Sequence, residues 1–196
     1  MAIDVQPLRQ RALRVAKLSV HGLAALALFF GLAAVLLLRG GELLKDPDTF
    51  LHLTIGQEML SGGRLVSTDT LSHTFAGAHW YAKEWLSQLF FSFLHSSLGW
   101  TGPVLLAVCL NAFAIALLFR FLLGRVSASA AIVLACLALA MVAPQIVARP
   151  HAFVAPLIVS WLIVLVVHSA EGDGRPPWFL VPLLVAVAGF SLLFGG

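Results

Sequence analysis

Lys83-Glu84-Trp85-Leu86-Ser87-Gln88-Leu89-Phe90-Phe91-Ser92-Phe93-Leu94-His95-Ser96-Ser97-Leu98 decides how the chain meets a bilayer. Its apolar content suggests a span. Yet Glu84, Gln88, Ser92 and His95 recur at three- and four-residue spacing, and Trp85, Leu86, Leu89, Phe90, Phe93 and Leu94 fill the other side. That is the period of an amphipathic helix. It is also short against a hydrocarbon core about 30 Å thick. Residues 83–98 are therefore read as a helix lying in the interface.

The spans around it fix the sides. Apolar runs occupy residues 18–38, 102–123, 127–147, 151–168 and 178–194. The first follows a basic N-terminus at 1–17, where Arg9, Arg11, Arg14 and Lys17 stand against Asp4. A signal peptide would look similar at its start. But the run exceeds the usual apolar core of about 7–15 residues, and no small-x-small cleavage site follows convincingly, so it reads as a retained span. The positive-inside rule puts the N-terminus in the cytoplasm. If 83–98 does not cross, Arg120, Arg125 and Arg175 also fall inside, while residues 39–100 and Arg149-Pro150-His151 face out. If it did cross, the Arg120/Arg125 turn would lie outside, against the same rule.

The expected fold is thus an all-α integral membrane protein with about five transmembrane helices. A long first outer loop carries interfacial helices at about 48–60 and 83–98. In the first, Asp48 or Thr49 is expected to cap the N-terminus and Gly62-Gly63 to stop the helix. Leu51, Ile55 and Met59 form one apolar stripe there; Phe50, Leu53 and Leu60 form another. Residues 61–81, rich in Gly, Ser and Thr, read as an ordered loop with room for a short strand pair. The chain stops at Gly195-Gly196 directly after the last run, and so reads as the N-terminal part of a longer module.

Composition agrees with a membrane protein. Of 196 residues, 60% are hydrophobic and 11% charged, where soluble domains carry roughly 25% charged. A net charge of +3, spread over span ends, points away from nucleic acid. Cys109 and Cys136 both fall within expected spans and read as small buried apolar residues, not as a disulfide framework or a metal site. Asn111 reads as an interhelical hydrogen-bonding residue. The spans contain almost no ionisable residues, which argues against a transporter.

The loop from 39 to 100 holds most of the acids and four of the seven histidines. Asp46-Pro47-Asp48 puts two carboxylates just beyond a span. One could act as a general base; together they permit, without demanding, a divalent cation. A capped helix start is the simpler alternative. His52 stands four residues after Asp48, on the same helix face. Asp69 suits a turn. Glu84 suits a helix N-terminus or the binding of an acceptor. Arg149, between two spans, could hold a phosphate or snorkel to headgroups. His73, His79 and His95 have no ligand spacing and read as structural.

In their order, Asp46-Pro47-Asp48 with His52, Gly62-Gly63, Asp69-Thr70-Leu71-Ser72, Gly77-Ala78-His79-Trp80, Glu84-Trp85-Leu86 and Arg149-Pro150 resemble the N-terminal part of C-type (GT-C) membrane glycosyltransferases. Protein mannosyltransferases and aminoarabinose-transferase-like enzymes belong to that superfamily. The similarity is closest to its uncharacterised bacterial multi-pass members and runs over about residues 18–170. It implies inverting transfer of a sugar from a polyprenyl-phosphate donor to an acceptor at the outer face of a bacterial-type inner membrane. It also implies Asp48 as base, Asp46 as the close second, Arg149 on the donor phosphate, and His52, Asp69 and Glu84 as substrate-binding residues. Members carry more spans, so further membrane segments or subunits would complete the donor groove. The competing expectation is a non-catalytic membrane scaffold or assembly subunit that uses the outer loop for docking.

Overall fold

The computed structural model describes residues 6–82 and 84–171, with side chains over 16–170 apart from residues 83 and 150. Among them the chain is all-helical, with seven α-helices: α1 (Gln6–Leu38), α2 (Gly40–Leu43), α3 (Pro47–Gly62), α4 (Trp85–Leu98), α5 (Thr101–Leu123), α6 (Ala128–Val142) and α7 (Val154–Glu171). Two 3₁₀ turns, Ala143–Gln145 and Pro150–Phe153, join α6 to α7. Four segments are long and apolar enough to cross a membrane: Ala16–Leu38, Thr101–Leu123, Ala128–Gln145 and His151–Ala170. The fifth expected span, 178–194, lies outside the described residues. At 14 residues, α4 is about 21 Å long, short of the roughly 30 Å of a hydrocarbon core.

The hub is α5, which packs against α1, α4, α6 and α7. Its sequence allows this because small residues recur around it: Ala107, Ala112, Ala114 and Ala116 are buried beside Val104, Val108, Ile115 and Phe119. Leu32, Leu43, Val108, Ile115 and Ile146 form one core cluster with it. Phe119 meets Ala131 and Ala135 of α6 in another. Asn111 is buried here but donates to Ala107 O of its own helix at 2.8 Å. The expected interhelical bond is replaced by this local one, because a carbonyl one turn back is always within reach. The cysteines also differ from expectation. Cys109 and Cys136 are exposed, because the helices turn alanines, not cysteines, into their contacts.

Two layers meet at α3 and α4, and one glycine sets their distance. A Cβ on Gly56 would lie 2.2 Å from Gln88 O and from Ser92 Oγ. With hydrogen there, Ser92 Oγ reaches Leu53 O at 2.8 Å, and Phe91 is fully buried beneath with Leu53, Ala107 and Ala148. Leu53, Ile55 and Met59 are buried, while Phe50, Leu51 and Leu60 are exposed. The buried face therefore cuts across both expected stripes, since α4 covers only the side centred on Gly56. At the far end Gly63 takes φ 61 and closes α3 in the left-handed conformation, as a C-cap requires.

The polar stripe of α4 points inward. Ser87, Gln88 and Ser92 are buried, whereas Phe90 and Phe93 are exposed. A helix whose apolar side faces lipid and whose polar side faces protein would be built this way.

The start of α3 corrects one expectation. The N-cap is Asp46, whose Oδ1 accepts from Asp48 N at 3.0 Å, not Asp48 or Thr49. Pro47 fits the first helical position because it has no N–H to satisfy, so the cap falls one residue before it. Thr49, fully buried, instead donates through Oγ1 to Ala148 O at 3.0 Å. Between residues 61 and 81, Thr68 and His79 form an isolated antiparallel bridge, the nearest approach to the strand pair the sequence allows among the described residues.

Candidate functional site

Two polar clusters sit one helical turn apart on α3. The first forms because α3 begins where the α6–α7 connection returns. Ala148 N donates to Leu43 O at 2.9 Å, and Thr49 holds Ala148 O from the other side. The backbone so pinned delivers Arg149 to the N-terminus of α3. Its Nε lies 2.8 Å from Asp46 Oδ2 in an ion pair, and its Nη2 donates to Asp48 Oδ2. One guanidinium thus bridges two carboxylates from residues a hundred positions away, a geometry the planar fork of arginine favours.

The two acids are not equivalent. Asp46 uses Oδ1 to cap the helix and Oδ2 to hold Arg149, and its side chain is 15% exposed. Asp48 commits Oδ2 to Arg149 but is 48% exposed. Only Asp48 therefore has a carboxylate face open to an arriving molecule.

The second cluster depends on the close contact at Gly56. His52, on the second turn of α3, meets Glu84 and Gln88 of the segment entering α4. Gln88 Nε2 lies 3.1 Å from His52 Nδ1, and His52 Nε2 lies 3.2 Å from Glu84 Oε2. An amide NH₂ can only donate, so Nδ1 accepts and Nε2 carries the proton toward Glu84. The latter pair is within ionic distance but out of hydrogen-bond alignment. Glu84 Oε2 and Gln88 Oε1 are both buried without a hydrogen-bond partner among the described residues. Glu84 sits at the N-cap position of α4 yet makes no side-chain capping bond, so its carboxylate turns to His52 instead.

Burial governs the protonation of this pair. It pushes His52 down to about 4, against which Asp46 pulls upward and His151 pushes further down. It also pushes Glu84 above the usual carboxylate range. Each shift disfavours charge, as desolvation does, so His52 is neutral at pH 7. Next to the pair is a cavity of about 250 Å³ lined by Leu51, His52, Ile55, Trp80, Tyr81, Ala82, Glu84 and Gln88.

Asp69 belongs to neither cluster. Its Oδ1 accepts from Leu71 N and Ser72 N, and its Oδ2 from Ser72 Oγ. These bonds hold its carboxyl below the usual range and make it the keystone of its own exposed turn. Of the six residues singled out in the sequence, Asp46, Asp48 and Arg149 meet, His52 and Glu84 meet, and Asp69 stays apart. Sequence reasoning missed Gln88, Thr49 and Gly56. Gln88 was visible as a polar member of the α4 stripe; nothing in the sequence pairs Thr49 with Ala148.

Among the described residues, no group of three or more His, Cys, Asp or Glu side chains is placed to hold a metal ion. The guanidinium of Arg149 lies between the two carboxylates that a divalent cation would need. No protein-family model matches the chain, and comparison with curated proteins and with solved structures finds no match.

Proposed function

We propose that this chain is the N-terminal part of a membrane glycosyltransferase of the C type, transferring a sugar with inversion from a polyprenyl-phosphate donor at the outer membrane face. The observation that carries the reading is the meeting of Arg149 with Asp46 and Asp48 at the start of α3. A base beside a phosphate-binding cation is what such a transfer needs. The half-exposed Asp48 is the base and would take the proton of the acceptor hydroxyl. Its attack on the anomeric carbon expels the polyprenyl phosphate, whose charge Arg149 would receive. Arg149 is already held by Asp46 through Nε, so it can turn Nη2 from Asp48 to a phosphate without losing its anchor. Donor binding would then free Asp48 for the proton at the moment it is needed.

The decisive experiment assays the complete gene product that carries this chain, in proteoliposomes with labelled polyprenyl-phosphate sugars. Asp48→Asn should reduce transfer by at least about a thousandfold, the order expected for loss of a general base, with insertion unchanged. Undiminished transfer would remove Asp48 from the mechanism.

A second reading has its own support. Ala148 N to Leu43 O and Thr49 Oγ1 to Ala148 O fasten the same two segments without any charge. Arg149 with its two acids would then be one more stitch in a non-catalytic scaffold. On that reading Asp48→Asn lowers stability and no transfer is found with any donor.

A further inference from the structure

The transferase reading leaves the acceptor's place open, and the second cluster supplies one. The cavity beside His52 has an apolar wall, Leu51 and Ile55, and an aromatic wall, Trp80 and Tyr81, around a polar floor of Glu84 and Gln88. At about 250 Å³ it falls below the range of roughly 300–1,000 Å³ for drug-sized ligands and suits a single ring. Gln88 is 3% exposed, with Oε1 unpartnered. A buried acceptor left unmade is costly, and Glu84 Oε2 beside it meets only the poorly aligned His52 Nε2. The Gln88 oxygen can only accept, so the partner it lacks among the described residues is a donor.

We propose that this cavity binds one pyranose ring of the acceptor, its hydroxyls donating to Gln88 and Glu84 and its C–H face lying on Trp80. A flat, largely apolar ring face with donors at its edge matches an indole wall beside a polar floor. A cationic amine is the poorer match. Burial disfavours the charged form of Glu84, and a lone ammonium has no use for the aliphatic wall. Trp80 is itself held in place, its ring packed on the Ile55–Met59–Val66 cluster and its N–H backbone bonded to Ser67 O at 3.0 Å. The pocket is therefore preformed rather than assembled by the ligand. The proposal rests on the transferase reading only in naming the ring as the acceptor's.

The test reads binding without any donor lipid. Saturation-transfer NMR on the full chain in nanodiscs uses methyl α-mannoside, methyl β-glucoside and choline as probes. Transfer of saturation to at least one glycoside and not to choline is expected. Trp80→Leu and Gln88→Leu should each weaken that binding about tenfold, with thermal unfolding followed in parallel. Trp80, only partly buried, serves should Gln88→Leu fail to fold. No response to either glycoside, a response to choline alone, or glycoside binding unaltered in folded Trp80→Leu would overturn the assignment. Glycoside binding by a chain that transfers no sugar supports the pocket and counts against the transferase reading. Active transfer that is indifferent to Trp80→Leu does the reverse.

Discussion

The Arg149 cluster and the His52 cluster share one helix and one end of the molecule but solve opposite problems. Around Arg149 every charged group has an opposite neighbour: two carboxylates hold one guanidinium through separate nitrogens. Around His52 charge is avoided, since burial pushes both His52 and Glu84 toward their neutral forms, and the Gln88 oxygen has no hydrogen-bond partner among the described residues. A paired cluster is stable by itself, and on the transferase reading it must be opened to act. An unmatched one is poised for a ligand that donates. Both states can exist on α3 because it presents its N-terminus to the α6–α7 connection and its second and third turns to α4.

Removing the close approach should have the largest effect. In Gly56→Ala the new methyl meets Gln88 O and Ser92 Oγ at 2.2 Å. One contact is backbone and cannot rotate away, so α4 must move. Overpacking of this kind costs about 3 kcal/mol. The His52 cluster should come apart while the Arg149 cluster, anchored elsewhere on α3, survives. Chemical denaturation in detergent, with protection of Gln88 and Arg149 backbone amides by hydrogen exchange, separates the two. Equal loss of protection at both would show that the clusters are one unit.

Arg149→Ala comes next. It strips the partner from two acids at once. Breaking a fully buried pair costs roughly 3–5 kcal/mol, but Asp48 remains half exposed, so about 2 kcal/mol is the expected loss. Arg149→Lys should recover less than half of that, because an ammonium cannot span both carboxylates as a fork does. Thermal unfolding of the three forms decides it. Identical curves for lysine and arginine would mean that the bridging geometry contributes nothing.

The His52 cluster predicts a pH dependence of the opposite origin. His52 has its folded pKa lowered to about 4, so between there and its ordinary value the unfolded chain binds more protons. Stability from this group is complete above about pH 6.5 and is lost as pH falls toward 4, at about 1 kcal/mol per pH unit within that window. Glu84, raised by burial, acts in the other direction. The folded chain there holds the extra proton, so its contribution fades as pH rises above the ordinary carboxylate value. Asp46 and His151 are the other charged groups felt by His52. His52→Gln should flatten the unfolding midpoint between pH 6.5 and 5. A slope that survives the substitution would place the titration on another group.

The membrane class, the helical fold and the set of polar residues worth watching were legible because composition and apolar run length are one-dimensional properties. Pairing was less so. Asp48 and Arg149 could be placed near each other only through an argument about sides of a bilayer, and the cap at Asp46 required noticing that Pro47 has no N–H to satisfy. The orientation of α4 was not legible at all. Its period marks two faces, but whether the polar one meets water or protein depends on Gly56, a residue that means nothing until α4 is seen crossing it. Likewise Cys109 and Asn111 sit in one span, and only the packing of α1, α6 and α7 around α5 tells which of them is inside.

Asp69 marks the limit of both clusters, and the smallest effect belongs to it. Its oxygens are spent on Leu71 N, Ser72 N and Ser72 Oγ, all within three residues. Among the described residues, no hydrogen bond of that turn runs to Arg149 or His52. The bridge from Thr68 to His79 and the bond from Trp80 N to Ser67 O hold the base of the loop independently of it. Asp69→Ala should therefore loosen residues 69–72 and leave both transfer and glycoside binding at the wild-type level. The mutation matters because Asp69 was drawn into the site by sequence resemblance alone. A variant that folds normally but loses transfer would mean that this loop closes over the α3 clusters during turnover, and the two-cluster description would then need a third member. Proteolysis within residues 69–77, compared with and without donor lipid, distinguishes such closure from a turn that merely frays.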